Sequence, residues 1–385
     1  MSHCAIPMVG SISRILIQEC TVSYCAIPMV PGPTSVHPDV LAAMHADFPS
    51  ADTEPAFIPL YHETSRQLAR LMGTKNDVVI MSGEGMLALW GAMKSCLRPG
   101  DPVLCVGTGL FGDGNADMAR ALGCRVELVS QPYDTVIDDA TLERVEDAAK
   151  RLHPVMITAV HGETPSGTLN PLAALGKLKK DLGIPLFYVD AVSSLGGCPV
   201  EADKWNIDLL LGGSQKCLSC PPSMCMVGVS PAAWERIRDV NYQGYDALLP
   251  FMDAEKKGLF PYTPNWHGVS ALSAGCSALL KEGLKKVFAR HEKCAEMCRK
   301  GLTSLGIRLY PKSEEACAPT VTAALVPDGM TWKEWDSRLR ASGLVCGGDY
   351  GCLAGKVFRL GHMGTQAQPC LVEEALKVIA GALGR

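Results

Sequence analysis

The feature of this chain that most restricts its fold is a series of short apolar runs separated by helical patterns. Polar residues do not alternate regularly within the runs, which is the pattern of strands buried on both faces of a parallel sheet. The runs are VVIM at 78–81, VLCV at 103–106, VMITAV at 155–160, PLFYVD at 185–190 and IDLLL at 207–211. We therefore predict an α/β fold in which residues 31–280 form a large domain with a mainly parallel sheet flanked by helices.

The residues after position 280 follow a different pattern. A long charged helix is predicted over 281–306, followed by the strands TVTAALV and KVFRLG. Between these strands lies a helix that begins with a capping box formed by Thr331 and Glu334. A further amphipathic helix, LVEEALKVIAGALG, follows the second strand. We interpret residues 281–385 as a smaller C-terminal α/β domain.

The first 30 residues are predicted to be an N-terminal extension or arm. The segment CAIPMV occurs twice, at 4–9 and at 25–30, and only the second copy leads into the apolar and polar patterns of the large domain. A positively charged start followed by a sustained apolar stretch is missing, so we do not expect a secretory signal.

Net charge and cysteine content indicate which classes of partner and which cellular compartment to expect. The net charge of −4 over 385 residues gives no reason to expect nucleic acid or an anionic membrane as partner. The 17 cysteines are an odd number in a long chain and lie mostly in apolar runs, so we expect them to be reduced. We expect a cytoplasmic protein, with the peroxisome and the mitochondrion left open. The pair Cys217 and Cys220 has no second pair at zinc-site spacing, so no metal is expected.

Polar residues follow the predicted strands at the points where ligands bind in open parallel sheets. The first strand leads into Ser82-Gly83-Glu84-Gly85, a small turn before a helix whose free N–H groups suit a phosphate. Asp190 ends the fourth strand, and Lys216 follows the fifth. A lysine amine forms a Schiff base with an aldehyde, and a carboxylate keeps the nitrogen of a pyridine ring protonated. Together the two residues indicate pyridoxal chemistry.

A nicotinamide dehydrogenase is an alternative from another class. Gly107, Gly109 and Gly112 form a GxGxxG pattern after the second strand, and Glu127 lies 20 residues after the first glycine. This is the spacing expected for dinucleotide binding. It would leave Lys216 and Asp190 without a role. A dimer that retains only the fold is a further alternative, which loss of either residue would have favoured.

From about residue 30 to 385 the chain resembles the class V aminotransferases of fold type I. It is most similar to the branch that contains alanine–glyoxylate, serine–glyoxylate and pyridoxamine–pyruvate aminotransferases. The motifs that carry the resemblance are HGETPSGTLNP, YVDAVSSLGG, GGSQKCLSCPP and FRLGHMGTQAQP. The resemblance implies pyridoxal 5'-phosphate as cofactor, bound to Lys216 as an aldimine, or pyridoxal and pyridoxamine themselves as product and substrate.

The resemblance also implies roles for residues around the cofactor. Lys216 would move the proton between the substrate carbon and the cofactor, and Asp190 would pair with the pyridine nitrogen. Val192 and Phe111 would lie on the two faces of the ring. The remaining cofactor positions implied are Ser82, Gly83, Glu84, Thr164, Gln215 and, from the partner subunit of a homodimer with shared sites, Thr263. His161 and Glu163 are interpreted as turn residues that do not touch the ligand.

The substrate side of the site is implied by three further positions, Arg359, Gly32 and Tyr350. Arg359 matches the arginine that binds the substrate carboxylate with its planar donors. Glu84 stands where the alanine–glyoxylate enzymes have a histidine and the pyridoxamine–pyruvate enzymes have a glutamate. The latter enzymes use a second arginine nine residues before the first, and here that position is Tyr350.

The resulting prediction is an aminotransferase that moves an amino group from a small donor, alanine- or serine-like, to glyoxylate or pyruvate. The alternative within the class is a pyridoxamine–pyruvate aminotransferase with free pyridoxamine as donor. The residues leave open which donor and which acceptor are used.

Overall fold

A computed structural model describes residues 27–385. Its strands are β1 (Ile27–Met29), β2 (Asp77–Ser82), β3 (Pro102–Gly107), β4 (Arg125–Ser130), β5 (Met156–Val160), β6 (Gly162–Glu163), β7 (Thr168–Leu169), β8 (Leu186–Asp190), β9 (Leu209–Gly213), β10 (Met224–Val229), β11 (Val321–Leu325), β12 (Leu344–Cys346) and β13 (Val357–Gly361).

The α-helices of the same residues are α1 (Pro38–Met44), α2 (Phe57–Met72), α3 (Gly85–Cys96), α4 (Leu110–Ala121), α5 (Asp139–Leu152), α6 (Ala173–Asp181), α7 (Pro231–Val240), α8 (Ala254–Lys257), α9 (Trp266–Glu282), α10 (Leu284–Ser304), α11 (Trp332–Ala341) and α12 (Pro369–Ala382). Short 3-10 helices lie at Leu249–Phe251, Glu314–Ala316, Gly351–Leu353 and Gly364–Gln366.

The central sheet has seven strands in the order β2-β10-β9-β8-β5-β3-β4. Neighbouring strands from β9 to β4 are parallel, and β10 is antiparallel to both of its neighbours. Because β10 reverses direction on both sides, β2 runs in the same direction as the parallel strands. The carboxyl ends of β2, β5, β8 and β9 therefore lie at one edge of the sheet. This confirms the predicted fold class.

Both faces of the sheet are buried, which explains the unalternated apolar runs. Leu104, Ile157, Phe187 and Leu210 belong to one apolar cluster. The residues next to them along the same strands belong to a second cluster, which lies on the opposite face because successive side chains of a strand point to opposite sides.

The C-terminal part contains two small two-stranded sheets. Strands β11 and β13 pair in the antiparallel direction, and β1 pairs with β12 in the parallel direction, with Ile27 opposite Leu344. The predicted capping box of α11 is formed by Thr331 and Glu334. The buried rings of Trp335 and Phe358 pack edge to face at 5.8 Å.

The limits of the two domains stay predictions. Of the predicted extension 1–30, only residues 27–30 are described, and the first CAIPMV copy lies outside the described residues. The described strand of this segment, β1, pairs within the C-terminal part of the molecule.

No helix within residues 27–385 is both long enough and apolar enough to cross a membrane. The same residues contain no group of three or more His, Cys, Asp or Glu side chains placed to hold a metal ion. The thiols of Cys217 and Cys220 instead contact backbone carbonyl oxygens, of Ser193 at 3.7 Å and of Ala271 at 3.5 Å.

Candidate active site

A cleft of about 140 Å³ opens beyond the carboxyl ends of β2, β5, β8 and β9. It brings together seven of the residues predicted for the cofactor and the chemistry, which are Glu84, Phe111, Thr164, Asp190, Val192, Gln215 and Lys216. These residues are up to 132 positions apart in the chain and meet only because their strands are neighbours in the sheet.

Lys216 lies at one wall of this cleft, three residues after β9. Its Nζ donates a hydrogen bond to the carbonyl oxygen of Pro31 at 2.6 Å. Burial lowers the pKa of Lys216 to about 8, and the positive charge of Arg359 acts in the same direction, whereas Asp190 and Glu84 oppose it. A larger fraction of the amine is therefore neutral near pH 7 than in an ordinary lysine. A neutral amine is the form that attacks a carbonyl carbon.

Gly32 lies directly against the Lys216 side chain. It has a φ of +100°, and a Cβ there would lie 2.5 Å from Cδ of Lys216. A side chain at position 32 would therefore displace the lysine. The segment is held in place by Thr34, whose hydroxyl donates to the carbonyl oxygen of Lys216 at 3.0 Å. The structure places Gly32 beside the reactive amine, and its predicted contact with the substrate stays a prediction.

Asp190 ends β8 and is 4% exposed. Its Oδ1 accepts a hydrogen bond from the backbone N–H of Val192 at 2.8 Å. Burial raises the pKa of Asp190 to about 6 although this hydrogen bond and the charge of Lys216 act against the rise. The group is still ionised near pH 7, so it is able to hold a proton on a pyridine nitrogen.

The N-terminus of α3 lies at one end of the cleft, where Glu84 and Gln215 line it. Glu84 is the N-cap residue of α3, and its side chain makes no capping hydrogen bond. Gln215 Nε2 donates to Glu84 Oε2 at 3.3 Å, while Gln215 Oε1 is buried without a hydrogen-bond partner among the described residues. This end of the cleft thus presents the backbone N–H groups of a helix together with two side-chain acceptors.

Glu163 ends β6, is buried, and lies against the loop after β3 that carries Phe111. Its Oε1 accepts from the backbone N–H of Gly112 at 2.7 Å, and its Oε2 accepts from that of Phe111 at 3.2 Å. A Cβ at Gly109 would lie 2.4 Å from Cδ of Glu163. Gly109 and Gly112 of the GxGxxG pattern therefore make room for this carboxyl group, which occupies the N–H groups that a pyrophosphate would need. The dehydrogenase alternative is rejected for this reason.

His161, in the same turn, is buried and bonded to Ser194 Oγ through Nδ1 at 2.9 Å. Burial lowers the pKa of His161 to about 4, so it is neutral near pH 7. Neither His161 nor Glu163 lines the cleft.

Arg359 lies on β13 and is 3% exposed. Its Nε donates to the carbonyl oxygen of Gly348 at 3.0 Å, and Nη2 donates to the same oxygen. Its guanidinium lies 4.8 Å from the ring centre of Tyr350, and its Nε lies 3.7 Å from Oδ1 of Asp349. Asp349 was not among the residues predicted from the sequence. Its place ten residues before Arg359 and next to Tyr350 is the only sequence signal that would have drawn attention to it.

Ser82 and Thr263 do not line this cleft. They line a separate, smaller cavity of about 40 Å³ together with Tyr245 and Tyr262. Thr263 is exposed in the single chain. Its predicted contact with the cofactor of a partner subunit stays a prediction, as does that of Gly83.

The residues of the cleft fit the ring of a pyridoxal cofactor. Lys216 would hold its aldehyde carbon, Asp190 its ring nitrogen, and Val192 and Phe111 its two faces. The unpartnered Gln215 Oε1 shows that the α3 end of the cleft has bonding capacity left for a ligand. The N–H groups of α3 suit a phosphate, and the nearby Glu84 carboxylate acts against one.

Comparison with known proteins identifies the family. The sequence profile of the class V aminotransferases matches residues 37–350. A pyridoxamine–pyruvate transaminase of Mesorhizobium japonicum is 33% identical over 93% of this chain and 91% of its own length. An alanine–glyoxylate aminotransferase of Callithrix jacchus is 31% identical over 90% of this chain and 86% of its own length.

The structural comparison agrees. The crystal structure of the pyridoxamine–pyruvate aminotransferase of Mesorhizobium loti superposes with a TM-score of 0.89 at 31% identity, covering 94% of this chain and 92% of that one. Class V aminotransferases of this fold use pyridoxal 5'-phosphate. The chain is an enzyme of this family, a class V aminotransferase of fold type I.

Proposed function

We propose that the enzyme transfers an amino group from a small amino donor, alanine- or serine-like, to a small 2-oxo acid, glyoxylate or pyruvate. The observation that supports this most is the placement of a buried arginine, Arg359, close enough to the partly neutral Lys216 for its charge to act on the pKa of that lysine. All these amino acids and oxo acids carry a carboxylate beside the reacting carbon, and an arginine would bind this carboxylate while the lysine amine acts at the neighbouring carbon.

Lys216 acts as the nucleophile and as the proton carrier in this proposal. Its Nζ would hold the cofactor aldehyde before the donor binds and would then be free to take the proton from the α-carbon of the bound donor. It later returns a proton to the oxo-acid carbon during the reverse half of the cycle. Its lowered pKa suits both directions, because the neutral amine is populated beside the charged amine near pH 7.

Asp190 keeps a proton on the pyridine nitrogen. The bound cofactor supplies an aldehyde that accepts the amino group and a ring that takes up the electron pair freed at the α-carbon. The negative charge of Asp190 stabilises the protonated ring, and the sheet holds Asp190 in place through the Val192 N–H. Phe111 and Val192 exclude water from the two faces of the ring.

A second candidate is transamination from free pyridoxamine, and Glu84 is the observation that favours it. A carboxylate at the N-terminus of α3 repels a phosphate dianion but accepts a hydrogen bond from a hydroxymethyl group. Gln215 Oε1 is a second acceptor without a partner at the same place. The pyridoxamine–pyruvate transaminase is the relative whose name matches this reading.

The visible spectrum of the purified protein tests both candidates. With pyridoxal phosphate bound, alanine or serine is expected to change the cofactor absorption, and glyoxylate or pyruvate is expected to restore it. If amino acids leave the spectrum unchanged while pyridoxamine plus pyruvate yields free pyridoxal, the second candidate is correct. Glu84→Gln then raises the KM for pyridoxamine, whereas under the first candidate it tightens phosphate-ester binding. Glu143→Gln, on the exposed face of α5, is the matched control.

We further propose a homodimer whose partner subunit completes each site. Thr263 and the neighbouring ring of Tyr262 are exposed in the single chain, and the Tyr262 ring lies tilted against that of the 65% exposed Tyr245, with 4.5 Å between the ring centres. Sedimentation of the purified enzyme tests the assembly, and Thr263→Ala is expected to weaken phosphate-ester binding. The free thiols, from Cys96 to Cys370, support a reducing compartment such as the cytoplasm.

A further inference from the structure

The carboxylate of Asp349 is enclosed next to the arginine assigned to substrate binding. Its side chain is 0% exposed, and Oδ1 lies 3.7 Å from Arg359 Nε. Oδ1 also accepts a hydrogen bond from the backbone N–H of Tyr350 at 2.9 Å. Oδ2 is buried and has no hydrogen-bond partner among residues 27–385. Buried carboxylate oxygens are normally satisfied, so an unpartnered one beside a binding arginine needs an explanation.

Two of the three guanidinium nitrogens of Arg359 are engaged within the protein. Nε and Nη2 donate to the single carbonyl oxygen of Gly348, and the ring of Tyr350 lies over the guanidinium. Nη1 donates no hydrogen bond to the described residues. The positive charge that a substrate carboxylate meets at Arg359 is thus reduced by a carboxylate already at its side.

We propose that Asp349 is a specificity-determining residue that restricts the enzyme to monocarboxylate substrates by screening Arg359. One substrate carboxylate is accepted at reduced affinity, because Arg359 then shares its charge between two anions. A second carboxylate on the same substrate would add to the negative charge beside Arg359, and repulsion by the enclosed carboxylate of Asp349 would exclude dicarboxylates. The inference depends on the assignment of Arg359 in the proposed function.

Asp349→Asn tests this assignment, because the amide keeps the size of the side chain and removes its charge. We expect the KM for pyruvate and glyoxylate to fall about three- to tenfold with kcat changed less than about twofold. Oxaloacetate and 2-oxoglutarate, which carry two carboxylates, should gain at least about tenfold in kcat/KM, since they lose two repulsions. Asp328→Asn is the matched control, because Asp328 pairs with Arg308 on the surface at 3.1 Å and is 90% exposed.

A binding measurement separates charge screening from a structural role. Calorimetric titration of the cofactor-loaded enzyme with propionate and with succinate should show that Asp349→Asn tightens succinate more than propionate. If Asp349 has only a structural role, the variant should bind both ligands more weakly and melt at a lower temperature. This result overturns the proposal. Equal changes for the two ligands overturn it as well. Asp349→Ala gives the same comparison if the asparagine variant does not fold.

Arg359→Lys distinguishes failure of this inference from failure of the proposed function. If the lysine variant loses oxo-acid affinity while Asp349→Asn leaves the selectivity between one and two carboxylates unchanged, only the role of Asp349 is wrong. If neither variant alters oxo-acid kinetics, the carboxylate is bound elsewhere, and both assignments are wrong.

Discussion

A Cβ on Gly109 would lie 2.4 Å from Cδ of Glu163, so the GxGxxG loop closes around a carboxylate of its own chain. The carboxyl group of Glu163 accepts hydrogen bonds from the backbone N–H groups of Phe111 and Gly112. These bonds set the position of the Phe111 ring at the cleft. Two of the three glycines that suggest dinucleotide binding in the sequence, Gly109 and Gly112, instead make room for Glu163 in the folded protein.

Glu163 is expected to make stability depend on pH. Burial raises the pKa of Glu163 to about 8, although the two N–H groups act against the rise. A proton bound in the folded but not the unfolded chain stabilises the fold below about pH 4.5, and this contribution is lost as the pH rises to about 8. The melting temperature of wild type should therefore fall relative to that of Glu163→Gln between these pH values. A constant difference would show that Glu163 is ionised throughout.

Lys216 should be the site of covalent attachment. Borohydride reduction of the loaded protein is expected to fix the ligand on the peptide that contains Lys216, as shown by mass spectrometry. Lys216→Ala should remain folded and lose turnover by many orders of magnitude, because nucleophile and proton carrier are both removed. A loaded protein in which another peptide is labelled would contradict the assignment.

The rate at which the ligand-free protein captures pyridoxal phosphate should rise with pH. The pKa of Lys216 is lowered to about 8, and only the neutral amine attacks the aldehyde. The second-order rate constant should therefore increase up to about pH 8 and level off above it. A rise that continues to pH 10 would indicate an amine with an ordinary pKa.

Asp190→Asn should still bind the ring but lose the charge that keeps its nitrogen protonated. Breaking a buried charge pair costs several kcal/mol, so we expect turnover to fall by ~10²-fold or more. The comparison of kcat between wild type and variant measures this effect, with the melting temperature as a check on folding. Turnover close to that of wild type would place the ring carboxylate elsewhere.

Arg359→Lys keeps the charge and removes the bidentate geometry. The KM for carboxylate substrates should rise about ten- to a hundredfold, which corresponds to ~1.5–3 kcal/mol for a charge-assisted hydrogen bond. The KM for free pyridoxamine should barely move, because pyridoxamine has no carboxylate. Tyr350→Arg should tighten pyruvate binding, since the exposed phenol of Tyr350 offers no charge. If both variants leave the oxo-acid kinetics unchanged, the substrate carboxylate is bound elsewhere and β13 is not part of the active site.

Local sequence determined the strands and the polar residues that follow them. Strands that are buried on both faces of a sheet need apolar side chains on both sides, so the apolar runs predict them. A residue that directly follows such a strand lies at the edge of the sheet, where ligands bind. Asp190 and Lys216 could therefore be predicted to meet, and the family motifs added Phe111, Gln215 and Arg359.

Tertiary structure alone decided which neighbours these residues have. The carbonyl oxygen of Pro31 accepts a hydrogen bond from the amine of Lys216, 185 positions away in the chain, and Gly32 lies against the same side chain. Glu163 turned out to organise the Phe111 loop, and Asp349 to lie beside Arg359. Periodicity and capping act between residues a few positions apart, whereas burial, charge pairing and the resulting pKa values depend on packing between distant segments. For this reason the sequence determined which residues are candidates for the chemistry, and only the packed structure decided their electrostatic surroundings.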